Sequence, residues 1–166
     1  TSTAPVPTRL AEVPDAVEAV LRDFLDTAVS TSAAISPVVG SSAQVVADFV
    51  LSGGKRIRPV FAFAGWQAGN GDPARVPTGS TDSDALRICA ALELVQACAL
   101  IHDDIIDASD TRRGRPTVHR VFERGHRDSG WRGDAADHGI ASAILAGDFA
   151  PVSYTHLRAH ETGRNL

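Results

Sequence analysis

The sequence has no methionine, one tyrosine, two tryptophans and two cysteines among 166 residues. Each shortage excludes something. With no Met, the chain is expected to begin inside a longer reading frame or after processing. Cys89 and Cys98 fall nine positions apart in one expected helix, a rise of about 13 Å and too far for a disulfide. Both are expected as reduced core thiols, with no cysteine-based zinc site. Charge of one sign is not in excess: 16 basic residues stand against 20 acidic ones. Neither nucleic acid nor an anionic membrane surface is an expected partner. No apolar run approaches the length of a membrane span, and no signal peptide is visible, so a soluble, cytoplasmic protein is expected. Nothing alternates with the two-residue period of a strand, which leaves an all-α fold.

What the chain does have is concentrated in LIHDDIIDASDTRRGRPTVH, Leu100 to His119. Asp103, Asp104, Asp107 and Asp110 stand beside Arg112, Arg113 and Arg115 within thirteen residues. On a helix Asp103 and Asp107 are one turn apart and Asp104 is three from Asp107, so three carboxylates share one face near the helix end. Like charges at that spacing repel, and something cationic must compensate them. Hard oxygen ligands of this kind suit Mg²⁺, whose coordination is usually completed by substrate phosphates. The paired arginines suit phosphate through their planar fork of donors. The same spacing also fits a solvated helix end followed by a basic turn.

A second stretch, SGGKRIRP at Ser52–Pro59, joins glycines and cations to a fresh helix start. Glycines let the backbone approach an anion, Lys55 and Arg58 supply charge, and the helix adds its positive end. It is not a Walker loop, and GGKR alone also describes an ordinary helix–helix turn with exposed cations.

DDIID followed by TRRGRPTVH resembles the first aspartate-rich motif of the trans-isoprenyl diphosphate synthases (polyprenyl synthetases), and SGGKRIRP is similar to that family's other N-terminal signature. The resemblance implies an orthogonal helix bundle of the isoprenoid synthase type, present only as its N-terminal half. It implies a prenyltransferase joining an allylic diphosphate to isopentenyl diphosphate (IPP), with geranylgeranyl or a longer polyprenyl diphosphate as product. Asp103, Asp104 and Asp107 would hold Mg²⁺ on the allylic diphosphate and Arg112 would contact it. Gly54, Lys55, Arg58, Gln96 and Arg113 would seat IPP. Ala99 and Cys98, with Val95 a turn further on, resemble the positions where an aromatic floor halts elongation, and small side chains there imply a product longer than farnesyl diphosphate. A homodimer is implied for the full-length protein. Two other readings remain: a class I terpene cyclase, which has no use for an IPP seat, and a non-catalytic helical subunit or inert fragment.

In chain order, residues 1–9 read as a disordered arm. Helices are expected over Asp15–Ala34, from Ser41 or Ser42 to Gly53, over Pro59–Ala68 (apolar nearly all round, hence buried) and from Asp82 or Ser83 to Asp107. Pro37 and Gly40 read as breaks, and Gly69–Ser83 as a loop. A short helical piece is expected at Arg120–Gly125 and a polar loop over Gly125–Gly139, with Trp131 as a packing anchor. His119, His126 and His138 look too scattered for a metal site. The resemblance covers Leu10–Phe149. Residues 150–166 read as a polar, helix-poor tail outside the family, resembling adapter or out-of-frame sequence, and with the second aspartate-rich motif missing the chain alone is expected to be inactive.

Overall fold

A computed structural model of the chain describes residues 6–69 and 81–162, and the side chains through Phe149. Most of the expected Gly69–Ser83 loop, the first five residues of the expected arm and residues 163–166 lie outside the described residues. Residues 6–9 lead into a 3₁₀ turn at Leu10–Glu12, where Glu12 accepts the Thr8 amide at 2.9 Å.

Helix α1, Val13–Ile35, buries the stripe Val13, Val17, Val20, Leu21 and Leu25. Helix α2, Pro37–Leu51, begins earlier than expected, because Ser36 rather than Ser41 or Ser42 caps it, accepting the Val39 amide at 3.2 Å. Pro37 therefore starts the helix instead of breaking it, as its fixed φ and missing N–H allow at a first position. Gly40 lies inside α2 for a packing reason: a Cβ there would meet Ala33 Cα at 2.8 Å.

Helix α3, Ile57–Gly69, buries only Pro59 and Phe63, and Phe61 is 74% exposed. The expectation of all-round burial is thus not met, since α3 packs on α4 and α1 along one side. Helix α4, Asp82–Ile106, is the central element and touches α1, α3 and the later helices. Thr81 and Asp84 cap it reciprocally, in the pattern that satisfies two orphan N–H donors. By length and composition alone α4 is long and apolar enough to cross a membrane, contrary to the expectation that no apolar run approaches that length. Half of that window is buried inside the fold, as in a core helix.

The turn after α4 holds a two-stranded hairpin, β1 Thr111–Arg112 paired antiparallel with β2 Arg115–Pro116. These four residues are the strand structure among the described residues, so the all-α expectation stands apart from this turn. Helix α5, Val118–Asp128, is longer than the expected piece. Helix α6, Ala135–Thr162, starts inside the expected polar loop and runs through 150–162, the stretch read as helix-poor. Asp134 explains the earlier start by accepting the amides of Ala136 and Asp137 at 2.8 and 3.0 Å. Trp131 meets the rings of His126 and His138 edge-on at 5.8 and 5.5 Å, and those two imidazoles are 4.7 Å apart. They are scattered in sequence but adjacent in space.

The main core joins α1, α2, α3 and α4 around Leu21, Val50, Phe63, Leu86 and Leu94. A smaller cluster of Ile101, Val118 and Ala143 fastens α5 and α6 to the end of α4. Cys89 is buried and Cys98 half-buried, and both are free thiols. Burial pushes the Cys89 thiol up to about 11.

Arg56 ties the first core to the loop before α3. It sits at φ 45°, which turns its side chain inward. Its guanidinium meets Glu93 of α4 at 2.6 Å and donates to the Val50 carbonyl at 2.8 Å. Removing one partner of a buried pair leaves the other charge without compensation, at about 3–5 kcal/mol. Arg56→Ala should therefore lower the thermal midpoint clearly, whereas Lys55→Ala, on an exposed side chain, should leave it nearly unchanged. Equal midpoints for both variants in a thermal melt would contradict the clamp.

Candidate functional site

The expected acid face forms, but its members differ. Asp103 and Asp107 are exposed at the last turn of α4, whereas Asp104 is 1% exposed. Asp107 ends the helix, its amide bonded to the Asp103 carbonyl at 2.8 Å. The chain then reverses through Ala108 at φ 49°, with the Ser109 amide on the Asp104 carbonyl at 2.9 Å.

That reversal returns the hairpin arginines over the helix end. Arg112 Nε donates to both oxygens of Asp104 at 2.9 Å, and a second guanidinium nitrogen reaches Oδ1 at 2.9 Å. The Asp104 hydrogen bond raises the Arg112 pKa above its usual range, burial opposes this, and the charges of Asp104, Asp103 and Asp107 add to the rise. Asp104 is thus engaged with Arg112 rather than standing free beside Asp103 and Asp107. Thr117, fully buried, closes the loop by donating to the Ser109 carbonyl at 2.8 Å. Asp110 faces away and accepts from Arg120 at 2.7 Å. Asp103 and Asp107 keep solvent-facing carboxylates one turn apart, a hard-oxygen pair that fits Mg²⁺.

The second arginine reaches elsewhere. Arg113, at φ 52°, donates to the carbonyl of Gly53, sixty residues earlier. Gly53 itself has φ 97°, a left-handed conformation that favours glycine. At Gly54 a Cβ would stand 3.4 Å from the Arg113 guanidinium. Gly53 thus supplies the left-handed turn, and Gly54 lies in ordinary contact range of the arginine fork.

Between these parts opens a cavity of about 970 Å³. Its wall includes Gly54, Lys55, Arg58, Gln96, Arg112 and Arg113, all of the residues expected to bind diphosphates through side chain or loop. Arg56 and Arg115 add further cations, while the acids in the wall are Asp48 and Glu93, and Glu93 is occupied by Arg56. A concave wall whose cations outnumber its acids, with Arg56 and Arg112 held by Glu93 and Asp104, is suited to a polyanion. Asp103, Asp104 and Asp107 are not in that wall; Arg112 alone belongs both to the wall and to the acid group.

The three expected length-determining residues separate. Val95 (47% exposed) and Ala99 lie on the exposed side of α4 in line with Asp103 at four-residue steps. Cys98 instead turns toward α6, with its sulfur 3.8 Å from His102 Nδ1. His119 is buried; burial first, then the Arg120 charge, lowers its pKa. Arg56 was missed as a partner of the site loop. The available signal was Glu93, an acid on an otherwise apolar stretch of α4 that needs a cation.

The family model described as polyprenyl synthetase matches residues 41–162, and so extends past Phe149. A short chain isoprenyl diphosphate synthase of Methanothermobacter thermautotrophicus is 37% identical over 99 residues, covering 60% of this chain and 23% of that protein. Solanesyl diphosphate synthase 1 of Arabidopsis thaliana is 33% identical over 129 residues, covering 78% and 26%. The crystal structure of a geranylgeranyl pyrophosphate synthase from Corynebacterium glutamicum, complexed with isoprenyl diphosphate and magnesium, superposes with a TM-score of 0.80 at 44% identity. That likeness covers 90% of this chain and 41% of the other. The chain spans about a quarter of the length of these curated relatives.

If Asp104 holds the hairpin through Arg112, Asp104→Asn should speed amide exchange across 111–117, and Asp103→Asn should not. Hydrogen-exchange mass spectrometry reads this directly, and equal protection in both variants would contradict the assignment.

Proposed function

The chain belongs to the polyprenyl synthetase family, and from that premise we propose that it is the N-terminal part of a prenyltransferase. The reaction joins an allylic diphosphate to IPP and gives a longer polyprenyl diphosphate, geranylgeranyl or longer. The observation that carries this reading is the single cationic cavity lined by both the Gly54–Arg58 loop and the Arg112–Arg113 hairpin. A cationic cavity beside the Asp103–Asp107 pair, the two joined through Arg112, offers the two anion seats that a two-diphosphate reaction needs and a cyclase acting on one diphosphate does not.

In this reading Lys55, Arg58, Gln96 and Arg113 hold the IPP diphosphate, with the Gly54 backbone allowing its approach. Asp103 and Asp107 would hold Mg²⁺ at the allylic diphosphate site, and Asp104 acts from behind by orienting Arg112. When bound, Mg²⁺ supplies charge neutralisation for the leaving diphosphate. Arg112 adds a fixed cation aimed at the same developing charge, which costs no reorganisation during reaction. The apolar side of α4 that carries Val95 and Ala99 receives the growing chain and keeps water from it. The 166 residues alone, with one aspartate-rich motif, bind diphosphate without turning over. The complete protein is a cytoplasmic homodimer.

In the complete protein, Lys55→Ala or Arg58→Ala should chiefly raise KM for IPP, because each loses a charge-assisted contact of about 1.5–3 kcal/mol. Arg112→Ala should lower kcat, and Asp103→Ala or Asp107→Ala should remove most turnover, with Asp110→Ala far milder. Steady-state kinetics with both substrates varied decides it; an unchanged IPP constant in Lys55→Ala would make the loop merely structural.

Product length offers a separate check. Ala99→Phe fills the exposed stripe one turn below Asp103 and should shorten the product, whereas Cys98→Phe, directed toward α6, should change it less. Chromatography of the prenyl products reads both, and an unchanged length in Ala99→Phe would move the growing chain to another face.

A further inference from the structure

Away from the cavity, α4 and α6 bring together three side chains that prenyl transfer leaves unused. Cys98 and His102 stand four residues apart on α4, so one helical turn stacks them on a single face. The Cys98 sulfur is 3.8 Å from His102 Nδ1. On the other edge of the ring, Asp148 of α6 places Oδ1 3.7 Å from Nε2, and the Ile144 carbonyl lies 3.3 Å from the same nitrogen. One donor atom from each of Cys98, His102 and Asp148 falls within 4.8 Å of the other two. The imidazole has little freedom: a Cβ at Gly147 would stand 2.5 Å from Nε2.

We propose that Cys98, His102 and Asp148 form a second metal site, selective for a borderline-soft divalent ion such as Zn²⁺. Zinc accepts thiolate, imidazole and carboxylate at about 2.0–2.3 Å, which places tetrahedral neighbours about 3.3–3.8 Å apart. The sulfur–nitrogen separation of 3.8 Å is already of that size. With one ring nitrogen as the ligand the donor atoms lie within 4.8 Å, so the carboxylate has to close by about 1–1.5 Å to meet the same geometry, and Asp148, 64% exposed at its side chain, is free to do so. Water completes the fourth position. Donor chemistry keeps two ions apart: Mg²⁺ prefers oxygens alone and selects Asp103 and Asp107, while thiolate and imidazole select zinc. The site lies one residue before Asp103, so an ion there pins the last turns of α4 to α6 without entering the cavity. Separation of its ligands across positions 98, 102 and 148 hides it from any short cysteine motif.

The test uses the 166-residue chain, reduced, with excess Mg²⁺ present to occupy the acid cluster. Titration with Co²⁺ should produce the visible bands of four-coordinate cobalt and a thiolate-to-cobalt charge-transfer band, both displaced by Zn²⁺. Cys98→Ser should remove the charge-transfer band and weaken Zn²⁺ at least about tenfold. Cys89→Ser and the double variant Asp103→Asn/Asp107→Asn should keep the band. Circular dichroism checks that each variant folds. Should Cys98→Ser fail to fold, Asp148→Asn at the exposed ligand decides, with weaker Zn²⁺ binding expected. No charge-transfer band in the native chain would overturn the proposal. So would a band that survives Cys98→Ser, a band lost in the Asp103/Asp107 variant, or unchanged Zn²⁺ affinity in Asp148→Asn.

Discussion

The structure around the cavity depends on the ion pair between Asp104 and Arg112. Asp104 is buried at 1% exposure, and a buried polar group costs free energy unless hydrogen bonds meet its oxygens. Arg112 supplies them through its planar fork. That single pairing decides where the chain goes after α4. It folds the segment back over the helix end, and the tight reversal puts Ala108, Arg113 and Gly114 at positive φ. With the hairpin fixed, Arg113 falls against the Gly53 carbonyl, so the pair also sets the shape of a loop sixty residues upstream. A buried ion pair is weak evidence for stability. Its value here is positional.

Arg56 plays the matching role on the opposite wall. Its bonds to Glu93 and to the Val50 carbonyl hold the loop between α2 and α3 against α4. Lys55 and Arg58, on either side of it, are then left exposed with their charge available. The neighbouring cations therefore divide the work: the buried one builds the wall and the exposed ones face the ligand. Arg112 and Arg113 divide it similarly, each spending part of its fork on the protein and keeping part of its surface in the cavity wall.

Much of this was legible in the residues. The stripe Val17, Val20, Leu21 and Leu25 marks α1, and the spacing of Asp103 and Asp107 puts both on one helix face. The cations of SGGKRIRP and of RRG suit an anion by residue type, the family resemblance makes them diphosphate seats, and the structure gathers them along one cavity. What sequence spacing could not supply was which of several like residues turns inward. Asp104 and Arg56 are each flanked by chemically equivalent neighbours, and only backbone direction separates them: helix phase for Asp104, a left-handed φ for Arg56. Helix starts were misjudged where a polar cap outweighs an apparent breaker, as at Ser36–Pro37 and Asp134. The burial of α3 was overestimated because apolar composition does not say how many neighbours a helix has. Cys98 was grouped with Ala99 although adjacent positions on a helix point about 100° apart.

The central claim is that a buried carboxylate outside the cavity wall, Asp104, governs diphosphate binding inside it through its pairing with Arg112. Calorimetric titration of IPP into the native chain and into Asp104→Asn tests it most directly, because Asp104 has no surface in the wall. The account predicts that IPP affinity falls at least about tenfold, on the order of 1.4 kcal/mol, as Arg112 and Arg113 lose their fixed positions. Equal affinity in the two proteins, with the fold intact by circular dichroism, would contradict it.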